Sequence, residues 1–227
     1  MNALWQLDSR EGPATFDFST WLVIVKKRGA KRIVVYDKVV RTKKFSEEVI
    51  RRRIETIILP MPAFAGLPCA RGNQGHIVGS YKMSELAKLG EFDRLKSVLP
   101  PKNVRYTVTL RNYHHHSYRN SDEKLWRDFA DKIGAHVIED FIDKPIHLHE
   151  RMALYAGAEM NFGVTNGPVW MLFLTPYPVT MFDCAINAPL WEQHGVQAGT
   201  QLPWSLPGQK LVWKRPNSMD DLLAAVP

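Results

Sequence analysis

Residues 150–168 read ERMALYAGAEMNFGVTNGP, and their pattern decides the fold class. With Leu148 just upstream, Met152, Tyr155 and Ala156 recur at helical spacing, which predicts a helix over about 148–158. Asn161 to Val164 is a short apolar run that fits a buried strand. Thr165-Asn166-Gly167-Pro168 is its exit. Proline suits the first position of a helix, where no N–H is missed, so another helix is expected over 169–174. Helix, strand, turn and helix within so short a stretch is the building unit of a parallel α/β sheet.

Working outward, the same rhythm continues on both sides. Upstream, 105–110 alternates Tyr, Val and Leu with Arg and Thr, a strand. A helix follows over about 122–133, with Leu125, Trp126, Phe129 and Ile133 as its apolar stripe and Gly134 as its stop. His136-Val137-Ile138 is the next strand, and 179–182 the last one expected. A final helix is predicted over 218–225. Pro100-Pro101 divides this region from an earlier one, giving an N-terminal unit of residues 1–100 and a C-terminal unit of 101–227. In the first unit a strand is expected at 3–7, a helix at 17–28 stopped by Gly29, and a strand at 31–36. A helix at 46–53 and a strand at Thr56-Ile57-Ile58-Leu59 come next. Residues 61–80 show no periodicity. Two short helices are expected at 84–89 and 92–98. Strands alternating with helices imply parallel sheets, and the restart after Pro101 implies two of them.

Composition bounds the function. The chain has 227 residues, 45% hydrophobic and 23% charged, enough for a buried core. No apolar run approaches the roughly 20 residues that span a bilayer. The N-terminus lacks a basic segment followed by an apolar one, so no signal peptide is expected. Two cysteines, Cys69 and Cys184, with no CxxC spacing argue against a disulfide scaffold and fit a reducing, cytoplasmic setting. The formal charge of +7 favours anionic partners without choosing among them. The densest basic clusters, Lys26-Lys27-Arg28 and Arg51-Arg52-Arg53, fall at helix ends, where cations complement the dipole.

In parallel α/β sheets, ligands bind beyond the carboxyl ends of the strands. The loops to weigh are therefore 8–16, 111–121, 140–147 and 165–168. Thr165, Asn166 and Gly167 stand between a strand and a helix, where free N–H groups favour an anion such as a diphosphate; a plain turn needs the same residues. Loop 111–121 offers Arg111, Arg119 and Asn120, and arginine suits bidentate phosphate contacts. Asn120 or Ser121 can equally cap the next helix. The run His114-His115-His116 invites a metal, but adjacent residues point in different directions and no carboxylate-rich partner motif accompanies it, so none is expected. Asp17 opens a helix beside the first loop. It fits a general base on a sugar hydroxyl, or an N-cap; Asp8 is the competing base. Glu150 and Arg151 begin a helix and can reach a ligand, or pair on a solvated face.

These residues resemble a known family. The segment TVTLRN, the helix EKLWRDFADKIG, VIED and ERMALYAGAEMNFGVTNGP together resemble the C-terminal, donor-binding half of GT-B glycosyltransferases, especially the heptosyltransferase-like group. The loop SREGPATFD is similar in placement to the acceptor-side loop of those enzymes. The resemblance implies two small Rossmann-like halves with a cleft between them. It also implies transfer of a sugar from a nucleotide-diphosphate donor to the hydroxyl of a saccharide or other acceptor, without metal or cofactor. Arg111 and Arg119 would contact phosphate, Asn166 and Gly167 would cradle it, and Asp17 would take the acceptor's proton. Two alternatives stand beside it. One is a nucleotide-sugar-binding scaffold without transferase activity. The other is a nucleic-acid binder using the aromatic and basic loop 113–119, against which stand the dispersed charge and the lack of any helix-turn-helix or RNA-binding signature.

Overall fold

The computed structural model describes residues 1–6, 16–36, 46–73, 76–77, 83–113, 116–140, 145–193 and 196–227. Its first sheet holds β1 (Asn2–Gln6), β2 (Arg32–Tyr36), β3 (Cys69–Arg71) and β4 (His76–Ile77). They lie in the order β3-β2-β1-β4, every pair parallel. The second sheet holds β5 (Tyr106–Arg111), β6 (Ala135–Asp140), β7 (Met160–Val164), β8 (Val179–Phe182) and β9 (Gln209–Leu211). Their order is β6-β5-β7-β8-β9, again all parallel. The protein is α/β with two Rossmann-like halves.

The helices follow from local chemistry. α1 (Asp17–Lys27) ends where Gly29 turns to φ +85°, and the Ala30 N–H closes on the Val25 carbonyl at 3.0 Å, a glycine-dependent stop. α5 (Glu123–Ile133) is capped by Asp122, whose side chain accepts the Leu125 N–H at 3.1 Å, and it ends at left-handed Gly134. The cap is therefore Asp122 rather than Asn120 or Ser121. Removing it in Asp122→Ala is expected to cost about 1 kcal/mol. In a chain of this size that lowers the calorimetric Tm by about 2–4 °C.

Three expectations are corrected. Thr56 to Leu59 is not a strand. After α2 (Glu47–Arg53) the helix continues as a π turn over Ile54–Ile58, with the Leu59 N–H bonded to the Ile54 carbonyl at 2.9 Å. Ile50, Ile54, Ile57, Ile58 and Met61 are all buried along this segment, a helical recurrence that the short isoleucine run conceals. The second expected helix, at 92–98, does not form. Its backbone donors are committed elsewhere: Leu95 to the Leu174 carbonyl, Lys96 to the Phe64 carbonyl and Ser97 to the Tyr177 hydroxyl. Residues 61–80, read as lacking regular structure, supply α3 (Met61–Phe64), β3 and β4. α4 (Met83–Lys88) follows near its predicted place.

α5 and α9 (Met219–Leu223) cover one face of the second sheet, with Trp126, Phe129, Phe162, Phe182 and Leu222 buried between them. α6 (Leu148–Gly157) and α7 (Gly167–Leu172) contribute instead to a core continuous with the first half, which includes Trp21, Ile33, Met152, Tyr155 and Val169. Across that junction the Trp170 indole N–H donates to the Thr20 hydroxyl at 3.1 Å. The chain's later part, with α8 (Ala188–Gln193) and β9, returns to the second sheet. There the Gln209 amide donates to the carbonyls of Leu172, Thr175 and Tyr177.

Candidate functional site

The strand orders locate two crevices. Counted from its own first strand, the second sheet runs 2-1-3-4-5, an order whose direction of winding reverses between the first and third strands, here β5 and β7. The first sheet reverses between β1 and β4. Beyond β5 and β7 lie the Arg111 loop and Thr165-Asn166-Gly167, the segments singled out in the sequence. Beyond β1 comes the segment leading to α1 and Asp17.

Arg111 ends β5 and is buried. Its Nη1 donates to the His116 carbonyl at 3.0 Å and to Asn120 Oδ1, and its guanidinium lies 4.8 Å from the centre of the Tyr113 ring. Asn120 grips Tyr113 on both sides, accepting its N–H and donating to its carbonyl, each at 3.0 Å. Arg111 and Asn120 thus hold the loop in shape. They act on it directly, whatever they do for a ligand. His116 takes a left-handed conformation (φ 56°), uncommon for a residue with a side chain. His114 and His115 lie outside the described residues, as does Asp8.

Arg119 leaves the one-turn 3₁₀ helix Ser117–Arg119 and donates through Nη2 to the Thr165 carbonyl at 3.2 Å, joining the β5 loop to the β7 exit. Thr165 is tied to β8 by its N–H and hydroxyl, both bonded to the Phe182 carbonyl. Asn166 caps α7, its Oδ1 accepting the Val169 N–H at 2.9 Å. Two buried N–H donors at this edge have no hydrogen-bond partner among the described residues: Arg119 Nε and Asn166 Nδ2. Buried donors left unpaired are costly, and each such group calls for strain, a bound water or ion, or a functional role; others occur elsewhere, on Trp191 and Trp204 among them.

Sequence reasoning missed two members of this edge. Asp183 follows β8 in a left-handed conformation (φ 60°) and is 5% exposed. Burial pushes its carboxyl above the usual range, opposed by Arg215 and Arg119. Burial likewise draws Arg119 below its ordinary value, opposed by Tyr118 and Asp183. Arg215 Nη1 lies 3.8 Å from Asp183 Oδ2. The same guanidinium donates to the carbonyls of Tyr118 and Asn120, each at 2.8 Å. Asp183 was legible as the first residue after a predicted strand. Nothing in the local sequence marks Arg215.

On the facing half, Phe16 occupies the N-cap position of α1, and exposed Asp17 stands in the first turn. The N-cap alternative for Asp17 therefore does not hold. Phe16 packs directly on Gly167: a Cβ added there would lie 2.7 Å from the Phe16 Cβ. This contact brings the start of α1 against the start of α7. Arg151 is 1% exposed, so it is not on a solvated face; it lies 6.0 Å from the centre of the Phe16 ring and donates to the Tyr155 hydroxyl at 3.4 Å. Glu150 beside it is exposed. The junction is therefore built by Phe16, Gly167 and Arg151.

One cavity adjoins these elements and another lies away from them. One of about 120 Å³ lies behind the loop, between Arg111, Asn120, Ser121, Arg127 and Glu139. A larger one of about 820 Å³ lies at the opposite, amino-terminal edge of the first sheet, beside Lys26, Lys27 and Lys31. There Lys26 pairs with Asp93 at 3.2 Å and Lys27 donates to the Glu91 carbonyl at 2.7 Å, so Lys26 and Lys27 already have partners. Among the described residues no group of three or more His, Cys, Asp or Glu side chains is placed to hold a metal ion.

No protein-family model and no curated protein matches the chain. Among solved structures it is similar to TibC, the iron-containing dodecameric glycosyltransferase of enterotoxigenic E. coli H10407, at 13% identity with a TM-score of 0.43. The same values apply to TibC, a dodecameric iron-containing heptosyltransferase, in complex with ADP-D-β-D-heptose. The alignment covers 96% of this chain and 62% of TibC, so the chain spans less than two thirds of the structures it matches.

Proposed function

We propose that this protein is a glycosyltransferase of the GT-B type, moving a sugar from a nucleotide-diphosphate donor to an acceptor hydroxyl. The observation that carries the reading is the pair of buried, unpaired donors, Arg119 Nε and Asn166 Nδ2, beyond β5 and β7. A diphosphate seated there accepts both hydrogen bonds and meets a cationic edge completed by Arg111 and Arg215. In the reaction the acceptor oxygen attacks the anomeric carbon and loses its proton to Asp17, with Asp8 the competing base. The bond from that carbon to the diphosphate breaks, and the leaving charge is stabilised by fixed donors rather than by a metal ion. On this reading residues 1–100 serve the acceptor and 101–227 the donor, in a cytoplasmic setting.

A second reading, donor binding without transfer, draws on the Phe16–Gly167 contact, which fills space between the halves. One experiment orders the two. A ligand at a hundred times its Kd adds about 2.7 kcal/mol, so UDP- or ADP-sugars are expected to raise Tm by about 5–10 °C. Arg119→Gln is expected to abolish the shift; losing the bond to the Thr165 carbonyl costs the unliganded protein about 1 kcal/mol, or about 2–4 °C of Tm. If no nucleotide sugar or nucleoside diphosphate stabilises the protein, both readings fall. If binding holds but no acceptor releases nucleoside diphosphate, the binding reading stands alone. If Asp17→Asn leaves an observed turnover intact, Asp17 is not the base.

A further inference from the structure

One side chain at the edge beyond β5 is used by nothing described so far. Tyr118 is 60% exposed, among the most exposed large apolar side chains among the described residues. Such a ring on a mobile tip would need no explanation, but this one is held. Its own carbonyl accepts from Arg215 at 2.8 Å, and the neighbouring Arg119 is fixed to Thr165. Its ring meets the His116 ring edge-on, with centroids 5.5 Å apart and planes at 85°. His116 is in turn held by Arg111 through its carbonyl, in a left-handed backbone conformation that a side chain makes unfavourable. The Arg111 and Arg215 guanidinium groups therefore hold the backbone of an aromatic pair at the rim of the crevice, beside Arg119, with the tyrosine largely exposed. The other tyrosine of the loop, Tyr113, already lies beneath the Arg111 guanidinium.

Resting on the donor-site reading above, we infer that Tyr118, braced by His116, is the platform on which the base of the bound nucleotide stacks. Tyr118 directly precedes Arg119, so a ligand whose phosphate meets Arg119 carries its nucleoside toward this rim. Every nucleobase presents a π-face, and stacking on an exposed, fixed aromatic ring is favourable without reading the base's hydrogen-bonding edge. The platform thus accounts for preference of a nucleoside diphosphate over pyrophosphate. It does not select among bases.

Calorimetric titration of the intact protein with UDP, ADP and inorganic pyrophosphate tests this. The wild type is expected to bind the nucleotides at least about tenfold more tightly than pyrophosphate. Tyr118→Ala removes that advantage and leaves pyrophosphate affinity unchanged; Tyr118→Phe retains it. Because the side chain is exposed, the alanine variant folds normally. Should Tyr118→Ala weaken all three ligands alike, or none, the base sits elsewhere and the platform is overturned while the diphosphate site stands. Should the wild type bind none of the three, the diphosphate site itself is overturned and the platform with it. An alanine variant that loses affinity for single-stranded oligonucleotides but not for UDP or ADP would likewise overturn it, assigning the ring to nucleic acid.

Discussion

Gly157→Ala is expected to destabilise the protein by about 3–5 kcal/mol, at the upper end of what single substitutions do. Gly157 closes α6, and the chain segment joining the two halves presses on it. A Cβ at this position would run into the Lys102 carbonyl group, with the Lys102 nitrogen only 3.0 Å away. The obstacle is backbone, so no side-chain rotation relieves it. Lys102 cannot move freely either: its N–H donates to the Ala153 carbonyl of the same helix at 2.9 Å, and its carbonyl accepts from Val104. The variant must break the Lys102–Ala153 bond or displace the end of α6 from the core that holds Met152 and Tyr155. Urea unfolding measures the loss. As a control, Gly134→Ala meets no atom within 4 Å and acts only through its left-handed backbone (φ +67°), so it is expected to cost about 1 kcal/mol. If Gly157→Ala costs no more than this control, the joining segment does not press on α6.

The chain just before that segment shows where sequence reading stops. α5 was legible because it carries its own apolar stripe and glycine stop, and β5 because its apolar residues alternate with Arg and Thr. The 92–98 segment has helix-like composition, yet Leu95, Lys96 and Ser97 give their N–H groups to Leu174, Phe64 and Tyr177, partners remote in the chain. β3 and β9 have three residues each, too few for any alternation to register, and they exist because β2 and β8 offer them an edge. The site divides in the same way. The convergence of its loops was legible, since strand ends in a parallel sheet fix where loops meet. The work of each arginine was not: that Arg111 holds carbonyls and a tyrosine ring, while Arg119 keeps an unpaired donor, depends on how the loop folds back. Arg215 enters from the C-terminal tail and contacts residues more than ninety positions away.

The Phe16–Gly167 contact brings the starts of α1 and α7 together, and a double-substitution cycle tests it. Gly167→Ala brings a methyl within 2.7 Å of the Phe16 Cβ and 3.1 Å of its ring, an overpacking expected to cost about 1–3 kcal/mol. Phe16→Ala empties a buried aromatic position beside Arg151 and is expected to cost about 3–5 kcal/mol. Because the methyl of the first variant enters the space vacated by the second, the double variant is expected to fall short of the sum by about 1 kcal/mol or more, measured by urea unfolding. An additive cycle would mean that the halves do not meet here. The same variants speak to ligand binding. If the bareness of Gly167 serves only to admit Phe16, then in the Phe16→Ala background Gly167→Ala leaves the UDP- or ADP-induced rise in Tm unchanged. If it also admits a phosphate against the start of α7, the rise is lost in both backgrounds, because the methyl blocks the anion whether or not the ring is present.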